Sequence, residues 1–454
     1  MRRRTLLGGL ALTPITGAGI TACSRSATPN QYLSGNFAPV QQETTATDLP
    51  VIGEIPQELQ GRFLRNGPNP GFDVDAGSHH WFVGQGMVHG LRLHEGQAQW
   101  YRSRLVQGSQ ANTNVIGHGG RTLAIVESGG LPQELSYTLD TLGDNESIGT
   151  GYTAHPKLDP DTGELHAICY DWAALRDHVR YVVVDAGGTW MDEVEIPLPG
   201  MPMIHDMSLT EHYAIIFDLP VTLSFTALAT GASLPFRWDA EHEPRVGLLP
   251  RDGDAESIIW CPVSPNYTFH PMNAYEDASG RVVIDVCRYE RMFLADVRGP
   301  FGDSLPRLDR WTINPKTGVV SEETIDARAQ EFPRCHPALN GKPYRYGYTV
   351  AVADYGFPQI YKQDLQTGQA TSYALGPGRH SAEPVFVPRQ GAAAEDDGYL
   401  MTYVYDGSRN ASELLILDAR DLERPALAQV LLPQRVPYGF HGNWVADSQV
   451  PMSA

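Results

Sequence analysis

The chain has 454 residues, a hydrophobic fraction of 42% and a formal net charge of −19. That length exceeds one average domain yet suits a propeller or another large closed all-β architecture around one core, and 45 glycines and 34 prolines interrupt it too often for a helical bundle. The negative charge repels phosphate backbones, and since the sequence has no basic patch to offset it, nucleic acid is excluded as a partner.

Arg2, Arg3 and Arg4 precede an apolar stretch at residues 6–20, which is followed by Thr21, Ala22 and Cys23. Residues 1–23 read as an export signal. The arginines ahead of Leu6 and Leu7 resemble a twin-arginine signal, and residues 20–23 resemble a bacterial lipobox in which Cys23 becomes the lipidated first residue. The run is interrupted by Pro14 and several glycines and is short for a membrane-spanning helix. The expected location is exported, either periplasmic or lipid-anchored to a bacterial membrane, or cytoplasmic and membrane-associated if the signal is not used. Residues 24–47 are polar without a periodic apolar face and read as a linker or surface arm.

Residues 48–454 read as one catalytic domain of many short strands. Runs rich in β-branched and aromatic residues, bounded by turn residues, occur at 122–126, 165–170, 181–184, 213–217, 282–286, 346–352, 399–405 and 414–417. Three turn units, DPDTGELH from Asp159, NPKTGVVS from Asn314 and DLQTGQAT from Asp364, predict hairpins of one kind. Their uneven spacing sets no repeat period, so on strands alone a propeller, a β-sandwich and a pair of barrels all fit. Residues 219–235 contain no charged side chain and read either as an apolar entrance or as an ordinary buried loop and strand. Cys169, Cys261, Cys287 and Cys335 show no metal-type spacing and are expected to be buried free thiols.

Four of the fifteen histidines stand at strand ends: His155 in TAHPK, His205 in MIHDM, His270 in TFHPM and His441 in GFHGN. Taken singly, each reads as a hydrogen-bonded core or surface group rather than as a ligand. They are too far apart for a local motif such as HExxH, so only tertiary closure can bring them together, as a propeller does when distant blades each send a strand to one axis.

Nine strings alter that reading: GRFLRNGPNP from Gly61, GQGMVHGLRL from Gly84, ANTNVIGHGGRTLAIVES from Ala111, TAHPKLDPDTGELH from Thr153, MIHDMSLTEHYAIIFDLP from Met203, FHPMNAYED from Phe269, EFPR from Glu331, EPVFVPR from Glu383 and YGFHGNW from Tyr438. Through them the chain resembles the carotenoid cleavage oxygenase family over most of its length. The resemblance implies an all-β, seven-bladed β-propeller with a helical and loop cap over the iron face, and one Fe(II) per chain held by His155, His205, His270 and His441. It implies carboxylates at Glu127, Glu331 and Glu383 that orient three of the imidazoles without touching iron. Four neutral imidazoles suit ferrous iron and leave two positions of an octahedron free. A carboxylate on the distal N–H fixes the tautomer and raises ligand basicity.

The implied partners are an apolar polyene and O2, with peripheral membrane contact and no organic redox cofactor; the oligomeric state is left open. The expected reaction cleaves a conjugated C=C bond of a carotenoid or apocarotenoid to aldehyde or ketone products, tunnel length setting the bond cut. Family members that cleave stilbenes carry a lysine before the first of these glutamates, where this chain has Val126, so a stilbene substrate is the second choice. A propeller hydrolase with calcium or zinc would need acidic side chains around its metal. A non-catalytic lipoprotein that binds an apolar ligand on the same propeller is the remaining alternative.

Overall fold

The computed structural model describes residues 30–452 apart from 72–73, 109 and 150; residues 1–23, read above as an export signal ending at Cys23, lie outside the described residues. Seven antiparallel sheets, the blades, succeed one another along the chain. The first is closed by both ends of the chain: Gly442–Ala446 pairs with Gly61–Asn69, which continues to Gln85–His94, Gln97–Leu105 and, at the outer edge, Thr44–Ala46. The innermost strands of blades two to six are Asn114–His118, Lys157–Leu158, Met207–Leu209, Tyr267–Glu276 and Gln330–Cys335, and Arg379–Ser381 with Val385–Pro388 fills that place in the seventh. All eight strand runs read from the sequence are strands, and all three Thr-Gly units join neighbouring strands of one blade.

The Thr-Gly turns show why such hairpins form. In each, the leading Asp159, Asn314 or Asp364 side chain accepts the amide two residues on, at 2.8–3.1 Å. Gly163, Gly318 and Gly368 take φ of +75°, +70° and +70°, a conformation that β-carbons disfavour. In blades five and six the innermost strands Tyr267–Glu276 and Gln330–Cys335 are largely buried on both faces and burial falls away outward; Val319–Asp326 is the exposed outer edge of blade five.

Between its second and third strands blade four carries an insertion. Val221–Leu223 pairs with Phe236–Trp238, and between them lies the sole α-helix among the described residues, Phe225–Ala229, with the Ser224 hydroxyl accepting the Ala227 amide. Both readings of residues 219–235 hold in part. Leu219, Val221 and Leu223 are core, whereas Phe225 is 59% exposed and Leu234 lines a cavity. The segment read as a polar arm is described from residue 30 and packs on the propeller, with Tyr32 stacked 5.8 Å from Trp81. Cys169, Cys261 and Cys287 are buried free thiols, and Cys335 is free but only half-buried.

Candidate metal centre

Each blade sends one functional group to the axis. His441, His155, His205 and His270 stand at or just before the innermost strands of blades one, three, four and five, while Glu127, Glu331 and Glu383 come from blades two, six and seven. Proline helps aim two of these groups. Pro271 follows His270 and Pro333 follows Phe332; lacking N–H donors they cannot continue the ladder, and the strands bulge between Thr268 and Pro271 and between Glu331 and Arg334. Phe332 is held at φ +53°, a strained position for a non-glycine residue next to the carboxylate it supports.

The four histidines are buried, and one ring nitrogen from each falls within 4.8 Å of the others. Three imidazoles turn Nδ1 to a carboxylate: His270 to Glu331 Oε2 at 2.7 Å, His441 to Glu383 Oε1 at 2.9 Å and His205 to Glu127 Oε1 at 3.0 Å. The last is a charge contact rather than an aligned hydrogen bond. His155 has no glutamate; its Nδ1 lies 3.6 Å from Asp206 Oδ2, and its Nε2 is buried without a partner.

With protons held on Nδ1, the Nε2 lone pairs converge, and those of His205 and His270 face each other at 3.1 Å. Two lone pairs at that distance repel unless a cation lies between them, so the donor set fits one metal ion. Burial holds His155 well below the ordinary imidazole range and lowers His270 to about 3 and His441 to about 4, which keeps these ligands neutral. Burial also lowers His205, but Glu127 more than offsets it and leaves the ring above its usual value.

The three carboxylates are held differently. Burial raises Glu331 to about 8, the Phe332 amide opposing the rise. Glu383 would also be raised by burial, but Arg334, 2.8 Å away, and His441 hold it well below the carboxylate range. Glu127 Oε1 accepts the Tyr170 hydroxyl at 2.6 Å. A second cluster, Asp159, Glu164 and His166, already holds a cation of its own: Arg251 Nη2 lies 2.6 Å from Asp159 Oδ2 and 2.9 Å from His166 Nε2.

Over the cluster lies a cavity of about 390 Å³ whose walls include Trp81, Phe82, Trp172, Phe269, Phe301 and Phe440, with His205, His270, His441 and Thr113 at its floor. Among the described lining residues none is lysine or arginine. Loops around residues 81–83, 172–173 and 300–301 and residues 233–234 of the blade-four insertion form part of the cavity wall.

The sequence profile of the retinal pigment epithelial membrane protein family matches residues 37–110 and 107–446. A carotenoid cleavage oxygenase of Mycobacterium tuberculosis is 43% identical over 94% of this chain and 99% of its own. The chain belongs to the carotenoid cleavage oxygenase family. Two solved structures of similar fold are the Pseudomonas brassicacearum lignostilbene dioxygenase, with TM-score 0.84, 27% identity and coverage of 92% of this chain and 98% of that one, and the cobalt-substituted Synechocystis apocarotenoid oxygenase, with TM-score 0.81, 29% identity and coverage of 90% and 97%.

All seven residues singled out in the sequence meet at this centre. Four others at it were not assigned roles: Thr113, Tyr170, Asp206 and Arg334. Thr113, Asp206 and Arg334 lie inside the family strings, but a string does not say which neighbour touches which group. Tyr170 reads in sequence only as the last residue of a strand.

Proposed function

We propose that the protein is an Fe(II)-dependent dioxygenase that cleaves a conjugated C=C bond of a carotenoid or apocarotenoid with O2, giving two carbonyl products. The observation that carries this reading is a four-imidazole cluster, backed by carboxylates, at the floor of an aromatic cavity free of lysine and arginine among its described lining. Iron(II), when bound, supplies the electron chemistry by which ground-state dioxygen reacts with a closed-shell alkene. The chain's own residues do the rest. His155, His205, His270 and His441 hold the metal, and Glu331 and Glu383 keep the Nδ1 protons of His270 and His441 in place so that the opposite nitrogens remain donors.

The cavity walls exclude water and bind the polyene by dispersion and burial, so the depth to which its end penetrates decides which bond lies over the cluster. Both oxygen atoms end in the products, and the stoichiometry needs no external reductant. Val126 presents no polar group to a phenol, which favours a polyene over a stilbene.

Substrate enters from a membrane or micelle in this proposal: Phe225, Leu228 and Leu294 are exposed beside segments that line the cavity. Export through residues 1–23 is part of the same reading, and cell fractionation with the mass of the mature N-terminus tests it. The activity is tested by incubating the iron-loaded protein with apocarotenals, carotenoids and stilbenes under 18O2 and under argon, with mass analysis of the products. Oxygen-dependent loss of polyene absorbance and labelled aldehydes are expected; activity that requires calcium or zinc while iron is dispensable would sink the proposal. Phe225→Glu is expected to slow uptake from vesicles while leaving the thermal midpoint unchanged, and equal loss of both would assign residue 225 to the core instead.

A further inference from the structure

The histidine cluster separates two cavities. The aromatic one lies over it, and a second, of about 360 Å³, runs along the propeller axis on the other side. His270 and His441 border both, His205 only the aromatic cavity and His155 only the axial one. The axial cavity runs from exposed Leu158 and Gln449 inward to buried Asp206 and Glu383 beside the histidines. Its wall carries the side-chain amides of Asn114, Asn340 and Asn443 and is the more polar of the two. The aromatic cavity has Gln110, Asn112, Ser128 and Ser233 in its wall but is otherwise lined mostly by apolar side chains away from the histidines and their glutamates.

We propose that the axial cavity is the path by which a divalent cation reaches the four histidines, leaving the aromatic cavity to the organic substrate. On this side an incoming ion meets three imidazoles, those of His155, His270 and His441, together with Asp206. The two carboxylates do not trap the ion on the way, because each already has a cation: Lys157 Nζ lies 2.7 Å from Asp206 Oδ1, and Arg334 Nη2 lies 2.8 Å from Glu383 Oε2. The passage therefore conducts, and the histidines, which have no cation of their own, retain. Separate entrances also mean that a bound polyene does not block reloading of the metal.

This rests on the reading of the histidines as a metal site, and the test keeps the two apart. Metal-depleted protein is mixed with Co(II) at low ionic strength, and the growth of cobalt d–d absorbance gives the uptake rate while its plateau gives the stoichiometry. Leu158, exposed at the axial mouth, is changed to Arg and to Glu; Ser233, at the mouth of the aromatic cavity, is changed in the same two ways. Leu158→Arg is expected to slow uptake and Leu158→Glu to speed it, by a factor of ~3 or more each at low salt. Plateau and spectrum stay those of the parent, and the Ser233 pair leaves the rate unchanged. A rate that follows the charge at Ser233 and not at Leu158, or that follows neither, overturns the axial path with the metal site intact. Failure of the parent protein to bind cobalt overturns the metal site itself.

Discussion

Replacing Glu331 by Gln separates the tuning of a ligand from the integrity of the fold. Glu331 Oε2 accepts from His270 Nδ1 at 2.7 Å and from the Phe332 amide. An amide of the same shape keeps its oxygen there, and its nitrogen takes the place of Oε1, which has no hydrogen-bond partner. A hydrogen bond to a charged acceptor contributes ~1.5–3 kcal/mol and a neutral one ~0.5–1.5 kcal/mol. The exchange therefore removes ~1–2 kcal/mol of support for His270, or ~5- to 30-fold in metal affinity, which overlaps the ~10- to 100-fold typical of groups that orient metal ligands.

The pH dependence of metal binding should change in the same variant. Burial raises Glu331 to about 8, so without metal the folded protein keeps at pH 7 a proton that the unfolded chain has lost above about 4.5. Between those values the folded metal-depleted form binds more protons, and its stability falls as pH rises. A cation at His270 ionises Glu331, so apparent Co(II) affinity in the parent climbs with pH up to about 8, at up to ~1 decade per unit. In Glu331→Gln this slope is smaller, and the thermal midpoint of the metal-depleted protein is not lowered, because the position no longer holds a proton that the unfolded chain releases. The assay is competition titration with Co(II) across pH 6–8, with calorimetric melting alongside. Affinity within about twofold of the parent, with an unchanged pH slope, would refute the assignment.

Three further outcomes follow from the same contacts. His270→Ala removes a donor and is expected to bring iron content to background and abolish turnover while the circular dichroism of the folded protein persists; parent-like iron content would refute the ligand set. Arg334→Met leaves Glu383 buried without its cation and should lower unfolding free energy by ~2–4 kcal/mol, the usual cost of breaking a buried pair discounted for partial exposure of Arg334. Adding Glu383→Gln should recover part of that loss in urea titrations, and a single variant within about 0.5 kcal/mol of the parent would show that the pair does not hold the blade. Tyr170→Phe removes the hydroxyl donor to Glu127 and is expected to broaden the cobalt d–d spectrum without altering metal stoichiometry; an identical spectrum would show that Tyr170 only packs.

Local chemistry made part of this protein legible in one dimension. Alternating β-branched and aromatic runs specify strands, and an Asp or Asn followed by Thr-Gly specifies a hairpin, because both depend on a backbone preference and a hydrogen bond within a few residues. His155, His205, His270 and His441 stood out once their neighbouring strings were compared with a family, yet spacing alone left each as an ordinary core histidine. Glu331 and Glu383 came from the same strings.

What only the folded chain decides is contact between groups brought together by ring closure. Gly442–Ala446 pairing with Gly61–Asn69 closes the ring and places His441 beside Glu383 and His270. Arg334 reaches both Glu383 and the Gly442 carbonyl across neighbouring blades, and Tyr170 reaches Glu127 from blade three to blade two. The presence of two cavities, one aromatic and one polar, is likewise a property of the ring. The lining residues of each come from strand ends and loops scattered over nearly the whole chain, and their side chains acquire a common neighbourhood only when the blades pack around one axis.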